Sequence, residues 1–96
     1  MGDPQELFAC KQYMRAEDEP DYVIAPFFDA AAAYLVGAGI KKPEFVAEDP
    51  LYALAVNSLT LFYYDHRDDV DAGVAPFPIG LRSVINQLKF ERGVTV

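Results

Sequence analysis

His66 and Cys10 are the only histidine and the only cysteine of the 96 residues, so any nucleophilic or metal chemistry starts from them. They stand far apart in sequence, and no Ser, His and Asp order accompanies either one. His66 lies in an acidic run, Asp65-His66-Arg67-Asp68-Asp69-Val70-Asp71, which invites a divalent cation. A calcium loop begun at Asp65 fails: Arg67 falls at position 3, Val70 at position 6 where glycine is needed, and Pro76 at position 12 where glutamate is needed. One imidazole does not make a zinc site. The run reads as a solvated loop. Gly37-Ala38-Gly39 lacks the rest of either phosphate-binding fingerprint. Lys41 and Lys42 follow a helix end, where cations complement the negative pole of the dipole. Cys10 has no local cation to lower its pKa and reads as a small buried hydrophobe. The remaining paired carboxylates fall in loops where nothing raises a pKa for acid–base work. The expectation is no catalytic residue, no cofactor and no metal: a binding or structural module rather than an enzyme.

The elements that would hold these residues are helical. The central stretch is Asp49 to Asp68. Asp49 is an N-cap and Pro50 fits the first helical position. Leu51, Leu54, Ala55, Ser58 and Phe62 recur on one helical face, and Tyr52, Val56, Leu59 and Tyr63 form a second stripe beside it. A helix apolar on most sides belongs in the middle of a fold, and this one is expected over about residues 50–67.

Three more helices surround it. Asp3-Pro4-Gln5-Glu6 reads as a capping box opening a short helix, Pro4 to Met14, whose apolar positions Leu7, Phe8, Cys10 and Met14 are expected to lay it on the core by one face. A second helix is expected from Pro20 to Ala38, capped by Asp18 or Glu19. Its core stripe is Val23, Ile24, Phe27, Phe28, Ala31, Tyr34, Leu35 and Ala38; Pro26 bends it or marks its start, and Gly37 or Gly39 supplies the left-handed residue that ends it. A last helix, Ile79 to Phe90, turns Ile79, Leu81, Val84, Ile85 and Leu88 inward and Arg82, Gln87 and Lys89 outward. The sum is a small all-α bundle in one domain, residues 1–96.

Net charge −7 and pI about 4.4 argue against a protein that works by neutralising phosphates. Met1 to Met14 lacks the apolar core of a secretory leader, and no apolar run is long enough to span a bilayer, so a soluble protein in a reducing compartment is expected.

Several residues look outward. Phe45 and Val46 lie in the Ile40 to Glu48 connector and need a partner if nothing in the chain covers them. Phe77 is an apolar plug between two prolines. Arg67 follows Tyr63 by four residues and is placed to stack on that ring and to pair with Asp68, Asp71 or a neighbouring subunit. The tail Val94-Thr95-Val96 is β-prone; it frays or adds to an edge in a neighbour.

The order of elements, the central helix ending Phe62-Tyr63-Tyr64-Asp65-His66-Arg67, and Pro76-Phe77-Pro78-Ile79-Gly80-Leu81 before the closing apolar positions resemble the tailed-phage head–tail connector family, also called head-completion or DNA-packaging adaptor proteins. The likeness covers about residues 4 to 89. It departs from the family's pattern at Pro26 and in the short Ile40 to Glu48 connector. The resemblance implies a phage or prophage structural protein that forms a ring of about a dozen copies under the portal. Its partners would be itself, the portal and a stopper or tail completion protein. DNA would pass nearby without specific binding, and no membrane would be involved. The place would be the head–tail junction of the virion, reached from the host cytoplasm during assembly. No catalytic residue or cofactor is implied. The contact candidates are Phe45, Val46, Tyr63, Tyr64, Arg67, Phe77 and Arg82. The competing reading is a small acidic helical adaptor or DNA-mimic inhibitor of a regulatory system; the scatter of its acids through loops speaks against one continuous mimic face.

Overall fold

The computed structural model describes residues 4–67 and 78–92, and among them the chain is all-α. Four helices occur in this order: α1 (Pro4–Met14), α2 (Asp21–Gly37), α3 (Pro50–Asp65) and α4 (Ile79–Arg92), with a 3₁₀ turn at Val46–Glu48 before α3. Helix α3 packs on α1, α2, α4 and the 3₁₀ turn, so it is the central element. Its cap forms as the sequence predicts, the Asp49 carboxylate accepting the Tyr52 amide at 3.3 Å with Pro50 in the first turn. The helix stops at Asp65 rather than 67; His66 leaves the helical conformation.

The fully covered face of α3 is Tyr52, Ala55, Val56, Leu59 and Thr60. These sit at i, i+3, i+4, i+7 and i+8, so the second of the two predicted stripes dominates. Leu54, from the first stripe, is exposed. Buried Thr60 satisfies its hydroxyl by donating to the Val56 carbonyl at 2.7 Å. Ile24, Phe28, Ala31 and Leu35 from α2, Leu7 and Cys10 from α1, and Leu81, Ile85 and Leu88 from α4 complete the core. Ile79, expected inward, is instead 81% exposed. Residues two apart on a helix point to opposite sides, so Ile79 cannot share a face with Leu81.

Helix α2 runs unbroken through Pro26. Its start corrects the expected cap. Pro20 occupies the N-cap with no side-chain bond, and Glu19 accepts a hydrogen bond from Tyr64 instead. At its end Gly39 has φ 91°, and the Gly39 and Ile40 amides donate to the Val36 and Leu35 carbonyls at 2.9 and 2.8 Å. This pair of bonds closes the helix through a left-handed residue. The end of α1 does the same without glycine. Arg15 has φ 58°, and the Arg15 and Ala16 amides donate to the Gln12 and Lys11 carbonyls at 3.1 and 2.8 Å. The two sites predict opposite signs. Gly39→Ala is expected to cost about 1 kcal/mol although a Cβ there meets open space, whereas Arg15→Gly is expected to gain about 0.5 kcal/mol. Urea denaturation of the two variants checks both.

Among the described residues two ion pairs tie α1 to its neighbours. Lys11 Nζ lies 2.8 Å from Asp21 Oδ1, with the lysine side chain 9% exposed and the aspartate 70%. Lys42 Nζ lies 2.9 Å from Glu6 Oε1, so Lys42 is engaged by α1 and not by the α2 dipole alone. Removing Asp21 leaves a covered ammonium with no counter-charge. Asp21→Ala is therefore expected to cost about 1–2 kcal/mol, and Lys11→Met to be nearly neutral. In the Lys11→Met background Asp21→Ala should cost only its share of the helix dipole, a few tenths of a kcal/mol. A double-mutant cycle by chemical denaturation checks this; equal costs for Asp21→Ala in both backgrounds would exclude the pairing.

Candidate interaction surfaces

The end of α3 gathers the first group of candidates. The Tyr64 hydroxyl donates to Glu19 Oε2 at 2.6 Å, and its ring meets Phe27 edge-on with centroids 5.8 Å apart. That hydrogen bond, with burial adding to it, holds the Tyr64 phenol above its usual pKa. The Arg67 guanidinium sits 4.1 Å from the centre of the Tyr64 ring and also donates to the Tyr64 carbonyl. The expected partner was Tyr63. That spacing assumed a helix continuing to 67; because α3 ends at Asp65, the turn at His66 swings Arg67 back over Tyr64. Tyr63 is half-buried against the core, and burial, followed by the charge of Tyr34, raises its pKa. His66 stacks on Phe62, centroids 4.3 Å apart, and its Nδ1 lies 2.8 Å from the Phe62 carbonyl. The Tyr64–Glu19 bond latches the end of α3 to the α1–α2 loop.

The connector divides its two candidates. Phe45 has extended backbone, φ −124° and ψ 101°, and is 60% exposed. Val46 opens the 3₁₀ turn and is 7% exposed, so it is corrected from partner contact to core residue. Neighbours leaving an extended residue point to opposite sides, which separates the two. A recess of 190 Å³ lies beside them between α1, the connector and α3, with Ala9, Ala47 and Ala53 in its wall and Glu44 and Phe45 among its lining residues.

Helix α4 carries the third surface. Arg82 is exposed, as expected. With it stand Ile79, expected inward, and Phe90, which the inward assignment leaves out and which is 88% exposed. Spacing was the available signal. Ile79, Arg82, Asn86 and Phe90 fall at i, i+3, i+7 and i+11, the face opposite Leu81, Ile85 and Leu88. A groove of 420 Å³ runs along the α3–α4 seam, lined by Leu54, Leu61, Phe62, Leu81 and Val84, with Pro78 in its wall.

Phe77, most of the acidic run and the tail residues 93–96 lie outside the described residues. Among the described residues no group of three or more His, Cys, Asp or Glu is placed to hold a metal ion. No helix among them is long and apolar enough to cross a membrane. No protein-family model, curated protein or solved structure matches this chain.

Proposed function

We propose that this chain is a structural adaptor of the tailed-phage head–tail connector kind. In this reading about a dozen copies form a ring between the portal and a stopper or tail completion protein, during head completion after DNA packaging. The order of helices and the Tyr63-Tyr64-x-x-Arg67 end of α3 carry the resemblance. The observation that best supports an assembly role is the distribution of large apolar side chains left in water. Phe8 on α1, Tyr22 and Val36 on α2, Phe45 in the connector, and Ile79 and Phe90 on α4 are all exposed around a core that is already filled. Apolar surface on several sides suits a subunit with more than one neighbour. The net charge of −7 suits a lining along which DNA slides without being held.

Negative-stain electron microscopy with native mass spectrometry on concentrated protein tests the reading. Closed rings of about a dozen subunits are the expected result. A two-fold dimer, or a monomer at every concentration, overturns it.

A further inference from the structure

The acidic character of the chain is not shared by its last helix. Residues 79–92 hold three cations, Arg82, Lys89 and Arg92, against one carboxylate, Glu91; the other 82 residues hold five cations against fourteen carboxylates. The net charges are +2 and −9. The basic helix also carries the most exposed aromatic side chain among the described residues, Phe90, on the same face as Arg82 and beside exposed Lys89. An aromatic ring left almost wholly in water, with Lys89 on one side and Glu91 on the other, is a knob without a socket among the described residues.

The recess between α1 and the connector has the complementary features. Its 190 Å³ is room for one ring, and Gln5, Asn57 and the Lys42-paired Glu6 line it beside the apolar residues. Alanines form part of its wall, Phe45 stands exposed at it for an aromatic contact, and Glu44 lines it with Glu48 four residues further on, both exposed. Helix α4 packs chiefly on α3, and Phe90 is 88% exposed, so the recess does not receive Phe90 from its own chain.

We propose that the recess binds Phe90 of a second copy of this chain, with Lys89 of that copy facing Glu44 and Glu48. The knob and socket are different surfaces, so the contact is head-to-tail, and repeated copies close into a ring or extend as a filament. The charge pairing makes association weaken as salt rises. The inference rests on the self-assembly reading above and adds to it the two faces that meet.

The test uses two exposed-site variants, Phe90→Gln, which lacks the knob, and Phe45→Gln, which damages the socket. Neither side chain is in the core, and circular dichroism verifies that both variants fold. In native mass spectrometry at low salt the wild type is expected to form species larger than a dimer, and each variant alone to be monomeric. Mixed, they are expected to give a 1:1 heterodimer and nothing larger, because each supplies the one face the other lacks. Oligomers that persist in both variants overturn this contact while leaving self-assembly intact. Variants that stay separate when mixed also overturn it. A wild type that is monomeric at all concentrations overturns both the contact and the assembly reading, and leaves the recess to a different protein.

Discussion

Leu59→Ala is expected to lower the folding free energy by about 2–5 kcal/mol, the largest effect among the substitutions considered. Leu59 is fully buried on α3, the helix on which all the others pack. Truncation there removes apolar burial and leaves a void, and the central helix cannot move toward one neighbour without leaving another. For a domain of this size, whose total stability is about 5–15 kcal/mol, such a loss means a fall in Tm of roughly 10–30 °C. Leu54→Ala supplies the internal comparison. It removes the same atoms from the same helix at a half-open position and is expected to cost about 1 kcal/mol or less. Thermal unfolding followed by circular dichroism separates the two. Equal shifts would mean that α3 is not held on the Tyr52–Leu59 face.

Alkaline pH is expected to destabilise the fold through Cys10. The thiol is fully buried, and burial pushes its pKa from 9.0 to about 11, a rise that a hydrogen bond with Thr60 partly offsets. At pH 7 the thiol is neutral whether the chain is folded or not. Between pH 9 and 11 the unfolded chain releases this proton and the folded chain keeps it, so stability present below pH 9 is lost as pH rises through the folded value. The full loss is at most about 3 kcal/mol. Tyr63 and Tyr64, whose phenols are also raised, act in the same direction above pH 10. Tm measured from pH 7 to 10.5 should be flat to about pH 8.5 and then fall, and Cys10→Ala should flatten part of that fall. The same burial makes the native thiol unreactive to a disulfide reagent at pH 8 until denaturant is added. Fast labelling of the native protein would show that Cys10 is open.

How much of this was legible beforehand follows from how local each cause is. The starts of α1 and α3 were readable because a cap acts within four residues: Pro4, Asp49 and Pro50 act on their own neighbours. The left-handed end at Gly39 was readable for the same reason, but its counterpart at Arg15 was not, since arginine carries no composition signal for a positive φ. Which stripe of α3 is buried depends on where α1, α2 and α4 lie, and a helix apolar on most sides does not disclose that. Glu19 offered itself as a cap, yet it bonds Tyr64, 45 residues away, a choice that no local rule contains. Among the candidate contacts, Phe45 and Arg82 are exposed and Val46 is not, because one 3₁₀ turn decides between neighbours. Phe90 and Ile79 were within reach of the helical wheel alone.

The placement of α4 also bears on the order in which the molecule comes apart. α1, α2 and α3 pack on one another, whereas α4 rests chiefly on α3 alone. Its hold is Leu81, Ile85 and Leu88, with half-buried Val84 beside them. A unit attached along one seam detaches at lower free energy than the remainder, so the bundle has two levels of cooperativity. Hydrogen exchange would show it as a separate step: α4 amides exchanging through a sub-global opening in mild denaturant, while those of α3 wait for complete unfolding. The helix that breaks away first would carry Phe90 with it, and occupation of that face by any neighbour would raise the free energy of its opening.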